Sequence, residues 1–295
     1  MSLATLGLSD EILKALSDKG YESATPIQKA LIPAMFSKRD IMAGAQTGTG
    51  KTAGFTLPIL QELRKSYVEG QHYPKALILV PTRELAKQVH ESLMGYAKYL
   101  PLKSTVLFGG ANMSAQANRL KAGTDIIVAT SGRLLEHIAQ KNVNLESIEY
   151  LVLDEADTIL DMGFLHEVSQ ILHHLPAQRQ NVLISATLSG SVKRLSEEIL
   201  QKPKLIEVDT MGTSANTVEQ VVYPVGKEKK LELLSYIIGS RNYKQVLVFT
   251  RKKELADEVG RELNLSGLVT AVIHGDKSSG ERSRALEGFK EGKIR

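Results

Sequence analysis

Asp40-Ile41-Met42-Ala43-Gly44-Ala45-Gln46-Thr47-Gly48-Thr49-Gly50-Lys51-Thr52 is the stretch that decides the fold of this chain. A short apolar run ends in a turn carrying two glycines, and a lysine and a threonine follow. Gly48 and Gly50 let the backbone curl until successive N–H groups face one anion. A helix starting near Lys51 adds its positive N-terminal end. Lys51 is placed to reach the β- and γ-phosphates of a nucleotide, and the Thr52 hydroxyl to ligate Mg2+. Glycine usually occupies the position of Ala45, but the Gly50-Lys51-Thr52 centre of the pattern is intact.

Strand, phosphate turn and helix in that order belong to an α/β sheet, and the rest of the chain repeats the alternation. Short runs rich in Ile, Val and Leu are expected as buried parallel strands at residues 40–43, 76–80, 105–108, 125–129, 150–153 and 181–184. Helical patterns at 84–99 and 131–140 lie between them, so the units read as βαβ with helices on both faces. The small polar stretch 209–217 reads as a linker between a first domain, 1–208, and a second, 218–295. Beyond it, strands are expected at 220–225, 245–249 and 270–273, and helices at 227–238, 253–263 and 279–291.

The two halves echo one another. Leu77-Ile78-Leu79-Val80 leads into Thr82-Arg83-Glu84-Leu85-Ala86, and Val246-Leu247-Val248-Phe249 leads into Thr250-Arg251 and then Glu254-Leu255-Ala256. Phe108-Gly109-Gly110 in the first half corresponds to His274-Gly275 in the second. In the first half three further strands follow that glycine. In the second half the chain reaches Arg295 first, so the second domain is expected to be incomplete.

Composition sets outer bounds. The 295 residues suggest two domains, and 42% hydrophobic with 24% charged residues is ordinary for a globular protein. With no cysteine there is neither a disulfide nor a thiolate metal site. No apolar run approaches the ~18 residues that cross a bilayer, and residues 1–10 carry no secretory pattern, so the cytoplasm is the expected location. A net charge of +4 and a pI of about 9.0 suit either a polyanion partner or a mildly basic enzyme.

Asp154 and Glu155 sit where the run Tyr150 to Leu153 ends, and ligands of open α/β sheets bind at the carboxyl ends of strands. Asp154 is placed to hold Mg2+ and Glu155 to orient or deprotonate the attacking water. Ser185-Ala186-Thr187 ends the next run, with two hydroxyls able to reach Asp157 or the γ-phosphate, or simply to form a turn. The stretch from Gly20-Tyr21 to Gln28 is a third signal. The Gln28 amide offers a donor and an acceptor to an adenine edge, while Thr25-Pro26-Ile27-Gln28 also reads as a helix start with proline in the first position.

Taken together, Thr25 to Gln28, Ala45 to Thr52, Pro81 to Ala86, Gly109-Gly110, Thr130 to Arg133, Asp154 to Asp157 and Ser185 to Thr187 resemble the DEAD-box ATP-dependent RNA helicases in wording, order and spacing. The resemblance covers the whole chain and implies two RecA-like domains that close around ATP and one RNA strand. It implies that Tyr21, Gln28, Gln46, Thr47, Gly48, Thr49, Gly50, Lys51 and Thr52 bind the nucleotide, and that Thr52 and Asp154 hold Mg2+. Lys51, Asp154 and Glu155 are the implied catalytic residues, with Ser185 and Thr187 coupling hydrolysis to strand separation. Pro81, Thr82, Arg83, Gly109, Gly110, Thr130, Gly132 and Arg133 would follow the RNA backbone, joined by Thr250, Gly275 and Arg282 from the second domain.

Such contacts are blind to base sequence. The chain departs from the family pattern at Leu3, where an aromatic residue is usual, at Ser131, where proline is usual, and at Ser279, where glutamine is usual. Segments that the family carries beyond the position of Arg295, an arginine finger among them, are also missing. The resulting expectation is a monomer that binds ATP or ADP weakly, touches RNA and unwinds little.

Overall fold

The computed structural model describes residues 3–46, 48–208 and 219–295. The chain divides into two compact units, Met1–Ala215 and Asn216–Arg295. The expected linker at 209–217 lies outside the described residues.

The first unit begins with a 3-10 turn, Leu3–Leu6, and helices α1 (Asp10–Asp18) and α2 (Pro26–Phe36). It continues as β1 (Ile41–Gly44), α3 (Lys51–Lys65), β2 (Ala76–Leu79), α4 (Arg83–Tyr96), β3 (Ser104–Leu107), α5 (Met113–Lys121), β4 (Ile126–Ala129) and α6 (Ser131–Ala139). Then follow β5 (Tyr150–Leu153), α7 (Ala156–Asp161), α8 (Leu165–Leu172), β6 (Gln180–Ser185), α9 (Gly190–Ile199) and β7 (Lys204–Glu207). The seven strands form one sheet in the order β3-β4-β2-β5-β6-β1-β7, and every pairing is parallel.

Alternate residues of each strand enter two different cores. Ile78, Val152 and Val182 pack against α1 to α4, whereas Leu77, Leu151 and Leu183 pack against α6 to α9. Both faces are covered, which is why the strands read as unbroken apolar runs. Each fully buried Leu or Ile contributes on the order of 2 kcal/mol, so this sandwich dominates the unit's stability. Local signals fix the helix starts. Thr25 and Gln28 form a reciprocal capping box on α2, and the side chains of Thr82, Asn112 and Ser189 cap α4, α5 and α9.

Sequence reading missed β7. It is an edge strand on which only Ile206 is buried, so it has neither an apolar run nor a helical period.

The second unit holds a 3-10 turn, Lys227–Lys229, and helices α10 (Lys230–Ser240), α11 (Lys253–Leu265) and α12 (Ser279–Lys290). The three strands expected at 220–225, 245–249 and 270–273 form no sheet among the described residues. The Val246 N–H donates to the Arg295 carbonyl and the Arg295 N–H to the Val269 carbonyl. These are isolated bonds, whereas a strand exists only through repeated pairing with a neighbour. Val222 and Phe249, 88% and 87% exposed, have no partner face to bury them among the described residues. The small core of this unit is built mainly by Ile238, Val259, Leu263 and Leu268.

Candidate active site

A wholly parallel sheet brings every strand's carboxyl end to one rim, and the site grows from that rim. β6 lies between β1 and β5, with Gly44 in register with Ser185 and Leu153 in register with Leu183. The chain that leaves β1 as the phosphate turn therefore emerges beside Ser185 to Thr187, and Asp154 emerges on their other side.

Gly50 caps α3 with φ +90°, a left-handed conformation open to glycine, and an added Cβ would strike the Gln28 amide nitrogen. Lys51 is the first residue of α3 and only 7% exposed. Its ammonium donates to the Ala45 carbonyl at 2.8 Å, across the turn. The Thr49 hydroxyl donates to the Gln46 carbonyl at 2.8 Å. Thr52 is half-buried in the first turn of α3 beside Gly48 and Gly50, while Thr47 lies outside the described residues.

Gln28 is buried. Its Nε2 donates to the Gly50 carbonyl at 3.1 Å and its Oε1 accepts from the Thr25 N–H at 3.0 Å, so the amide ties α2 to the phosphate turn. Tyr21 shares a 2.8 Å hydrogen bond with the hydroxyl of Tyr96 on α4, edge to face with its ring.

Asp154 is 3% exposed and accepts the Glu155 N–H at 3.0 Å. Burial pushes its carboxyl up to about 6, against the pull of the Lys51 ammonium and with a further push from Glu155 and Asp157. No direct ion pair joins Lys51 and Asp154 among the described residues. Glu155 takes φ 53°, ψ 52°, a left-handed conformation costing a non-glycine residue about 1 kcal/mol or more.

Asp157 receives the Thr187 N–H at 2.9 Å and the Thr187 hydroxyl at 3.1 Å, so the acidic turn and the β6 exit are tied directly. Ser185 is buried, its hydroxyl donating to the Thr187 carbonyl at 2.6 Å.

The other half of the rim is made by β2, β4 and β3. Pro81 is buried where β2 exits, and the Thr82 hydroxyl accepts the Leu85 N–H at 3.2 Å. Arg83 reaches the Gly109 carbonyl at 3.5 Å, and Gly110, at φ +83°, leaves room for its guanidinium. Thr130 and Gly132 start α6, where the Thr130 side chain makes no cap bond and Gly132 is exposed. The Arg133 side chain is only 9% exposed, and its Nη1 turns inward to the Ala111 carbonyl at 2.9 Å. Beneath these loops lies a group that sequence reading missed, the buried Gln116 and His137 with the half-buried Asn142, since nothing in its spacing marks it.

The second-unit candidates keep to their own unit. The Thr250 hydroxyl donates to the Lys252 carbonyl at 3.0 Å, Gly275 is exposed, and Arg282 is half-buried on α12 with Nε unpartnered among the described residues.

Among the described residues no three His, Asp or Glu side chains converge as a metal cage. The candidate ligands at the rim are the buried carboxylate of Asp154 and the hydroxyl of Thr52. That set fits Mg2+, which keeps waters and takes phosphate oxygens as its remaining ligands. No helix is long and apolar enough to cross a membrane among the described residues.

ATP-dependent RNA helicase CshA of Listeria monocytogenes is 39% identical over 290 residues, 98% of this chain and 55% of that protein. DEAD-box ATP-dependent RNA helicase CshA of Geobacillus kaustophilus is 37% identical over 289 residues, 98% of this chain and 61% of that protein. The chain thus spans somewhat over half the length of these relatives.

Among solved structures, S. cerevisiae Dbp5 bound to RNA and ADP BeF3 superposes with a TM-score of 0.86 at 27% identity, covering 99% of this chain and 74% of that one. A DEAD box protein from the hyperthermophile Methanococcus jannaschii gives 0.67 at 33% identity, covering 100% and 78%. The family model described as DEAD/DEAH box helicase matches residues 25–195, and that described as helicase conserved C-terminal domain matches 229–295. With the phosphate turn, the acidic turn and the β6 exit side by side within the first matched span, the chain belongs to the DEAD/DEAH box helicase family.

Proposed function

We propose that this chain is the ATP- and RNA-binding part of an ATP-dependent RNA helicase, in which hydrolysis drives local duplex separation. The observation that carries the reading is the adjacency of Lys51, Asp154 and Thr187 at the exits of β1, β5 and β6. The backbone N–H groups of residues 48–51 and the Lys51 ammonium receive the phosphates. Thr52 and Asp154 hold Mg2+, which when bound neutralises charge on the phosphate oxygens. Glu155 orients or deprotonates the attacking water. Gln28 and Tyr21 serve the base end of the nucleotide. The Asp157–Thr187 tie passes the state of the acidic turn to the rim.

RNA is assigned to the exits of β2, β3 and β4, with Arg83, Gly109, Gly110, Thr130, Gly132 and Arg133, and Thr250, Gly275 and Arg282 of the second unit are assigned to RNA as well. The CshA relatives are named as RNA helicases, and the Dbp5 structure holds RNA and ADP BeF3. Both support the substrates chosen here. We place the protein in the cytoplasm as a monomer.

The test is ATP hydrolysis by the full-length protein with single-stranded RNA or DNA of one sequence, beside titration of this chain with a fluorescent ADP analogue. RNA-selective stimulation, and saturable binding weakened about 100-fold by K51A, are expected. Equal stimulation by DNA overturns the RNA assignment. Binding indifferent to K51A overturns the site.

A further inference from the structure

The loop between β3 and α5 and the start of α6 are separate stretches of sequence, yet one buried side chain fastens both. Gln116, on α5 and 4% exposed, donates from Nε2 to the Phe108 carbonyl at 3.1 Å. Its Oε1 faces Arg133 Nη1 at 3.4 Å and His137 Nε2 at 3.1 Å. Phe108 immediately precedes Gly109-Gly110, and Arg133 sits in the first turn of α6.

The far side of His137 is set as well. Asn142 Nδ2 lies 3.2 Å from His137 Nδ1, and an amide nitrogen only donates, so Nδ1 accepts and the ring proton sits on Nε2, directed at Gln116. Burial, with the Arg133 charge beside it, lowers the pKa of His137 and keeps the ring neutral. Arg133 completes the frame through the Ala111 carbonyl and through Glu136, 2.8 Å from its Nε. The polar groups of Gln116 that face this frame are all engaged, so the amide has one orientation and holds its partners at one spacing.

We propose that Gln116 is a positioning residue for RNA binding, setting the Gly109-Gly110 loop and the N-terminus of α6 at the separation that successive phosphates of one strand require. This rests on the RNA reading given above. An extended strand places its phosphates at a fixed repeat, so two anion-receiving segments must be held apart by a matching distance. Backbone N–H donors can do this only if something inflexible joins them. Gln116 is that join: Nε2 grips one segment by its backbone, and Oε1 grips the other through Arg133 and His137. None of these contacts reaches the phosphate turn or the acidic turn, so the role separates RNA affinity from nucleotide affinity.

The experiment uses this chain with Q116L, Q116E and V168A. Q116L removes both ends of the amide. Q116E keeps an acceptor for His137 and Arg133 but sets an oxygen against the Phe108 carbonyl. Val168 is buried on α8 among apolar side chains and makes none of the hydrogen bonds of the Gln116 frame, and V168A is the control for lowered stability. Affinity for a fluorescein-labelled oligouridylate is read by anisotropy, affinity for a fluorescent ADP analogue by titration, and folding by the melting transition.

Both Gln116 variants are expected to weaken RNA binding about tenfold, the scale of one lost hydrogen bond to a charged group, with ADP affinity within about twofold of the parent chain. V168A should lower the melting temperature and leave both affinities near the parent values. Parent-like RNA binding by Q116L overturns the proposal, as does an equal loss in V168A. If Q116L does not fold, Q116E is judged by the same two criteria. Failure of the parent chain itself to bind the oligouridylate refutes the RNA reading instead, a result distinct from either.

Discussion

Replacing Asp154 by asparagine should stabilise the nucleotide-free first unit while crippling its function. Burial lifts this carboxyl from its ordinary 3.8 to about 6, even with the Lys51 ammonium pulling the other way. The ionised form is therefore disfavoured in the folded chain relative to the unfolded one. The sign is the reverse of a salt-bridged aspartate. No penalty exists below about pH 4, it grows as pH rises towards 6, and it is complete above that. At about 1.4 kcal/mol per pH unit it reaches about 3 kcal/mol at pH 8. That figure already contains the attraction of Lys51, so losing the attraction in D154N does not add to it.

The assay is the calorimetric transition of the first unit, recognised by its response to ADP, at pH 8 and pH 4.5 for both chains without nucleotide. D154N should be more stable by up to about 3 kcal/mol at pH 8 and by only about 1 kcal/mol at pH 4.5. With Mg2+ and nucleotide at about 100 times Kd the parent chain gains about 2.7 kcal/mol, and the asparagine variant gains much less, so the order narrows or inverts. A D154N chain less stable than the parent at pH 8 refutes the argument that desolvation dominates at this carboxylate. A stability difference that does not change with pH refutes it equally.

Four further outcomes follow from named contacts. G50A forces a side chain into φ +90° against the Gln28 amide. It should lower the urea midpoint of the first unit by the equivalent of about 1–2 kcal/mol and weaken ADP binding. K51A removes the buried ammonium that now rests on the Ala45 carbonyl. Fluorescent ADP binding should fall by about 100-fold, the upper range for charged hydrogen bonds, with the melting transition nearly unmoved. T187A deletes one of two hydrogen bonds to Asp157. In the full-length protein it should lower duplex separation per ATP consumed, read by unwinding and phosphate release in parallel. Asp40 accepts from the Asn181 backbone, the Asn181 side chain and the Gln201 backbone. D40A should cost about 3 kcal/mol by chemical denaturation without altering the RNA to ADP affinity ratio.

What the residues alone determined is the first unit. Six of its seven strands were legible because burial on both faces forces unbroken Ile, Val and Leu runs, and the phosphate turn was legible because a backbone curled around an anion needs Gly48 and Gly50. The Thr25 to Gln28 start of α2 was equally local, since a capping box is written within four positions. Long-range neighbours decided the rest. β7 exists because Ile41 to Gly44 offers it a pairing edge, which its own Lys-Leu-Ile-Glu does not announce. The apolar stretch at Val246 to Phe249 reads as a strand and finds no ladder partner among the described residues. Gln116, His137 and Asn142 carry no signature of position, and only folding brings an amide from α5 beneath two loops. The elevated proton affinity of Asp154 is likewise a product of burial, a property of the packed protein that one residue's identity cannot encode.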